Sequence, residues 1–230
     1  MSIAPAMRHA LVTGSSSGIG AAIAARLLVG GWRVSGIDRA PPVLTDVGFS
    51  HFGLDLIGVS QITTALDGIA DVTALVHAAG VMRTASLGAL DAAAGEAMWR
   101  LHVGAAAALA DHLAPRLPAG GRILLIGSRT AAGAAGRSQY AATKSALVGL
   151  ARSWALELAR RGITVNVIAP AATETPMLQD PARAGTAPRL PPIGRFIRPE
   201  EVAALAAFLL SEEAGAITGQ QILICGGASL

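Results

Sequence analysis

The chain holds one tyrosine, Tyr140, and one lysine, Lys144, four residues apart. On a helix that spacing puts both on one face. Of the 18 basic residues, every one but Lys144 is arginine. Arginine would serve for a surface ion pair. A compact ammonium suits the task of tuning a neighbouring group. A tyrosine hydroxyl ordinarily titrates near 10 and exchanges protons poorly at neutral pH. A cation beside it favours the phenolate, which makes it a usable general acid/base for a carbonyl/alcohol pair. Ser128 lies twelve residues before Tyr140, at the end of an apolar run. Its hydroxyl is placed to hydrogen-bond an oxygen on which charge develops.

A second set of residues points to a bound nucleotide. Thr13-Gly14-Ser15-Ser16-Ser17-Gly18-Ile19-Gly20 follows the first apolar run and opens a helical segment. Glycines at that junction let backbone N–H groups reach a pyrophosphate, and the helix dipole favours its charge. Gly14, Ser16, Ser17, Gly18, Ile19 and Gly20 are therefore candidate cofactor contacts. Asp38 comes 18 residues after Gly20, at the end of the second apolar run. A carboxylate there accepts hydrogen bonds from ribose hydroxyls and repels a 2′-phosphate, which argues for NAD over NADP. Arg39 next to it softens that discrimination. Asp55, after the third run, is placed either to meet the adenine edge or to act as a plain loop carboxylate.

These residues need an α/β scaffold to bring them together. Strands are expected at His9–Thr13, Arg33–Asp38, His51–Leu54, Val72–Ala78, Arg122–Ser128, Ile163–Ile168 and Gln221–Cys225. Helices are expected at Ile19–Val29, Val59–Leu66, Asp91–Leu117 with a break near Gly104, Ser138–Arg161 and Pro199–Leu210. Such alternation means a doubly wound parallel sheet, covered on both faces, in one domain spanning residues 1–230. The stretch from Thr175 to Pro199 is rich in Pro, Arg and Gly and has no period. It reads as a substrate loop. Its Arg183, Arg189 and Arg195 are either contacts for an anionic substrate or solvated loop arginines.

Composition narrows the class. Just over half the 230 residues are hydrophobic, enough for a large core. A formal charge of +3 with no basic block beyond Arg160–Arg161 argues against nucleic-acid binding. The single cysteine, Cys225, precludes a disulfide within the chain and fits a reducing, cytoplasmic setting. No signal peptide or membrane span is expected, and no metal.

Taken together, the T-G-x-x-x-G-x-G loop, the Y-x-x-x-K pair and Ser128 resemble the short-chain dehydrogenase/reductase (SDR) family over nearly the whole chain. The stretches Asn166-Val167-Ile168-Ala169-Pro170, Thr175-Pro176-Met177, Arg198-Pro199-Glu200-Glu201-Val202 and Ile217-Thr218-Gly219-Gln220 carry the same resemblance. It implies a seven-stranded Rossmann-type sheet and hydride transfer between a nicotinamide and a secondary alcohol or ketone. It also implies that Ile168, Pro170 and Thr175 line the nicotinamide pocket, and that Lys144 and Tyr140 touch the cofactor. A homotetramer or homodimer is implied, with the helix of Tyr140 often at the interface. The turn after the fourth strand departs from the family's N-A-G, reading His77-Ala78-Ala79-Gly80, where Ala79 and Gly80 remain candidate cofactor contacts. The Asn of the family's proton relay is replaced by His102, which titrates near neutrality in its ordinary state and is read either as a relay or as structural. The family's Pro-Gly after the sixth strand reads Pro170-Ala171. Two alternatives stand beside NAD-dependent turnover: an NADP-dependent 3-oxoacyl-carrier-protein reductase, and a non-catalytic NAD-binding regulator.

Overall fold

The strands are short apolar segments that a parallel sheet can bury on both faces. The structure, a computed structural model, describes residues 8–181 and 187–230. Seven strands form one all-parallel sheet in the order β3-β2-β1-β4-β5-β6-β7. They are β1 (His9–Thr13), β2 (Arg33–Asp38), β3 (Phe49–Gly53), β4 (Ala74–His77), β5 (Arg122–Ile126), β6 (Thr164–Pro170) and β7 (Gln221–Ile224). The helices are α1 (Gly18–Val29), α2 (Val59–Asp67), α3 (Ala92–Trp99), α4 (Ala105–Leu113), α5 (Ser138–Leu158) and α6 (Pro199–Leu209).

Alternation along each strand sorts the core into two layers. Leu11, Leu75, Ile123, Leu125, Val165 and Val167 face α2, α4 and α5. Ala10, Val12, Val34, Val76, Leu124 and Ile168 face α1 and α6. The sheet runs outward in both directions from the β1–β4 junction. The C-terminal ends of those two strands therefore border the crevice where such sheets take ligands.

Several elements differ from the sequence expectation, each for a tertiary reason. β3 starts two residues early, because Phe49 pairs with Val34 and packs on the α1 side of the core. β4 stops at His77, since the next two N–H groups leave the ladder for the Thr13 hydroxyl. β5 stops at Ile126, and Ser128 turns to cap a short 3₁₀ helix, Arg129–Ala132. β6 runs on to Pro170, whose partner is Ile224. The break expected near Gly104 is there, as a π-helical turn at Arg100–Gly104 that joins two helices. Among the described residues, no helix is long and apolar enough to cross a membrane.

Candidate active site

A cleft of about 1080 Å³ lies above the strand ends. Ligand pockets for small molecules span about 300–1,000 Å³, so this one has room for a dinucleotide and a substrate together. Gly14, Ser17, Gly18, Ile19, Gly20, Asp38, Asp55, Ala79, Gly80, His102, Ser128, Tyr140, Lys144, Pro170 and Thr175 all line it. Ser16 is buried beneath the loop, its N–H on Asp38 and its hydroxyl on the Ala40 carbonyl. Ile168 does not line the cleft. Its place in the β6 alternation turns it into the core beside α1 and α6.

The glycine loop fits tightly for a physical reason. A Cβ at Gly20 would sit 2.1 Å from the Gly14 carbonyl oxygen. At Gly14, where φ is +69°, it would sit 2.9 Å from the Ala79 backbone. No side chain caps α1, since Ser17 makes no cap hydrogen bond. The first-turn N–H groups of α1 are thus offered to the cleft, as an anion requires. Gly18, the first residue of α1, packs against Thr175 at the start of the Thr175–Pro199 stretch. At the end of β2, the Asp38 carboxylate accepts N–H bonds from Ser16 (3.0 Å) and Ala40 (2.9 Å), which pins its direction. The residues present fit a nicotinamide dinucleotide.

At the other end, α5 brings Tyr140 and Lys144 together as their spacing predicts. The Lys144 ammonium lies 5.8 Å from the centre of the Tyr140 ring. It donates to the Ile126 carbonyl at 2.8 Å. Burial pushes Lys144 down to about 7 from an ordinary value of 10.5. Tyr140 is buried with Met82 and Met98, against Val81 and Met177. The Ser128 hydroxyl accepts an N–H bond from Thr130 at 3.1 Å, which orients it at the β5 end.

Two histidines sit immediately behind this pair, and their partners determine their tautomers. The Leu101 carbonyl only accepts, so His77 donates to it from Nε2 (3.2 Å). His77 Nδ1 then accepts from the Thr13 hydroxyl at 3.0 Å. The same Thr13 oxygen accepts the N–H groups of Ala78 and Ala79, both at 3.1 Å. The Val81 N–H only donates, so His102 Nε2 accepts from it at 3.0 Å. His102 Nδ1 donates to Thr143 Oγ1 at 2.8 Å, and Thr143 donates onward to the Tyr140 carbonyl at 2.8 Å. Burial, reinforced by the Lys144 charge, takes His77 down to about 3 and His102 well below its usual range. The expected titration of His102 near neutrality therefore gives way to a neutral ring with both nitrogens engaged. Gly80 makes this junction possible: a Cβ there would lie 3.1 Å from His102 Nε2 and 3.6 Å from Lys144 Nζ.

Sequence reasoning did not single out Thr143 or the hydroxyl role of Thr13. Thr143 stands three residues after Tyr140, on the same helix face, which was the available signal. Asn166, the chain's only asparagine, is structural. It donates to the Ile217 carbonyl (2.7 Å) and accepts from the Gln220 N–H (3.1 Å), fastening β7's approach to β6. In the Thr175–Pro199 stretch, Arg189 lines the cleft, whereas Arg195 is held by Glu201 in a two-point ion pair at 2.8 and 2.7 Å. Arg183 lies outside the described residues.

Residues 14–229 match the family described as enoyl-(acyl carrier protein) reductase. The 3-oxoacyl-(acyl-carrier-protein) reductase FabG of Salmonella typhimurium is 36% identical over 234 residues, covering 95% of this chain and 96% of that protein. The (2S)-((R)-hydroxy(phenyl)methyl)succinyl-CoA dehydrogenase subunit BbsD of Thauera aromatica is 31% identical over 246 residues, covering 97% of each. A short-chain dehydrogenase from Burkholderia cenocepacia, solved in complex with NADP, superposes with a TM-score of 0.86 at 32% identity, covering 97% of this chain and 98% of that one.

Proposed function

The chain belongs to the short-chain dehydrogenase/reductase family of oxidoreductases, and we propose that it transfers hydride between NAD and a secondary alcohol or ketone. The observation that carries this reading is the convergence of Ser128, Tyr140 and Lys144 on one end of a cleft whose other end is built for a dinucleotide. The glycine loop and the α1 N-terminus hold the pyrophosphate, Asp38 the adenosine ribose, and Lys144 the nicotinamide ribose. The nicotinamide supplies or accepts the hydride when bound.

The protein's own residues manage the oxygen and its proton. Ser128 hydrogen-bonds the substrate oxygen. Tyr140 gives that oxygen a proton during reduction and takes it back during oxidation. Lys144 faces the ring, where its charge favours the phenolate. The apolar cage of Met82, Met98, Val81 and Met177 keeps water from competing at the hydroxyl. His102 acts here as a positioning residue: through Thr143 it holds the α5 turn of Tyr140, and through Val81 it holds the turn beside Gly80. His77 and His102 thus support the site. A homo-oligomer with α5 at the interface fits the exposure of Leu156 on that helix.

Asp38 supports NAD over NADP. A second reading, NADP-dependent reduction of a 3-oxoacyl thioester, is favoured by Arg39 lining the cleft beside Asp38 and by the FabG and NADP-bound relatives. Initial rates with both nucleotides, against secondary alcohols, ketones and a 3-oxoacyl thioester, separate the two. Tyr140→Phe run in parallel is expected to bind nucleotide normally and lose about 10²–10⁴ in turnover. Undiminished turnover in that variant would refute the mechanism, and a preference for NADP would replace the first reading by the second.

A further inference from the structure

The carboxylates of the cleft are confined to one end, where Arg39 also stands. The lining carboxylates, among the described residues, are Asp38, which ends β2, and Asp55, which follows β3. The end around Ser128 and Tyr140 carries Arg83, Arg129 and Arg137 and no lining carboxylate, and Arg189 lines the same cleft. The sheet order keeps the two ends apart, because β1 and β4 stand between β2 and β5.

The arginines of this end are not all equivalent. Arg83 is paired with Asp180 at 3.0 Å, tying the turn after β4 to the substrate loop. Arg195, farther along that loop, is matched by Glu201. Where an arginine braces the loop, then, the chain supplies its carboxylate. Arg129 has no such match. It directly follows Ser128, is half-buried in the cleft, and among the described residues forms no ion pair. Arg189 likewise lines the cleft without one. A guanidinium drawn partly out of water without a counter-charge is unfavourable. Its planar fork is suited to take a carboxylate in two parallel hydrogen bonds. The pyrophosphate of a bound dinucleotide does not meet this need, because the glycine loop holds it at β1.

We propose that the substrate is an oxo or hydroxy acid whose carboxylate is bound by Arg129, with Arg189 of the substrate loop assisting. This rests on the hydride-transfer reading. The carboxylate takes no part in bond making. In the reductive direction the carbonyl carbon gains a hydride from the reduced nicotinamide and the oxygen gains the Tyr140 proton.

The test uses the full chain, saturated with nucleotide, and pairs that differ in charge and one methyl group: 3-oxobutanoate against its methyl ester, and 4-oxopentanoate against its methyl ester. The acids are expected to exceed their esters in kcat/KM by about tenfold or more, the usual size of a charge-assisted hydrogen bond. Arg129→Gln should collapse the acid-to-ester ratio, chiefly through KM, and Arg129→Lys should restore part of it. Calorimetry with succinate, beside neutral succinamide, reads the same contact without turnover. Saturable succinate binding that Arg129→Gln abolishes is the expected result. An acid-to-ester ratio at or below one overturns the proposal. So does succinate binding that is absent, or indifferent to both Arg129→Gln and Arg189→Gln. Ester turnover that vanishes in Tyr140→Phe beside a ratio of one leaves hydride transfer standing and removes only the carboxylate. Failure of every alcohol and ketone with either nucleotide removes the underlying reading itself.

Discussion

Replacing Lys144 with methionine should make the nucleotide-free protein more stable while disabling it. Lys144 is buried against Tyr140, with His77 and His102 neutral behind it and the Ile126 carbonyl as its hydrogen-bond acceptor. Burial lowers it from 10.5 to about 7. Between those values the unfolded chain binds a proton that the folded protein does not, so stability rises with pH across that window. The penalty is fully present below about pH 7 and fades toward pH 10.5. A gap of about 3.5 pH units at about 1.4 kcal/mol each sets a ceiling near 5 kcal/mol. Methionine fills a similar volume and carries no charge, but it strips the Ile126 carbonyl of a donor, which costs about 1–2 kcal/mol. The net expectation is a gain of up to about 3–4 kcal/mol near pH 6, shrinking as the pH rises. Urea denaturation of both proteins from pH 6 to 9, without nucleotide, measures it. Turnover should fall by at least about 100-fold. A variant less stable than the parent at pH 6, or a difference that ignores pH, would refute the reasoning.

His102→Ala leaves the Val81 N–H and the Thr143 hydroxyl short of a buried partner, so about 2–4 kcal/mol of stability should be lost. His102→Asn, which can still accept from Val81, should recover part of it, and an alanine variant as stable as the parent would remove the clamp. Gly20→Ala drives a methyl into the Gly14 carbonyl and should abolish nucleotide binding by calorimetry; retained affinity would show that the loop relaxes. Asp38→Ala should narrow the ratio of NAD to NADP in kcat/KM by about tenfold or more. An unchanged ratio would take Asp38 out of that role.

What could be read in the chain beforehand was whatever depends on near neighbours. The glycine loop is eight consecutive residues. Tyr140 and Lys144 share one helix face. The apolar runs betray strands buried on both sides, and their alternation with helical segments implies a parallel sheet. Tertiary structure alone decided the rest, because each remaining feature has a distant partner. β4 ends where it does because Ala78 finds a hydroxyl 65 residues back, on Thr13. Ile168 faces the core and not the cleft because the β6 register turns it toward α1 and α6. A histidine in an asparagine's place reads equally as a proton relay or as structural, and only the fold shows its nitrogens committed to Val81 and Thr143 and its ring buried and neutral. Arg129 and Arg195 are the same residue type in the sequence. Only the fold puts Glu201 against one and an open cleft against the other, since counter-charge is a property of what lies nearby in space.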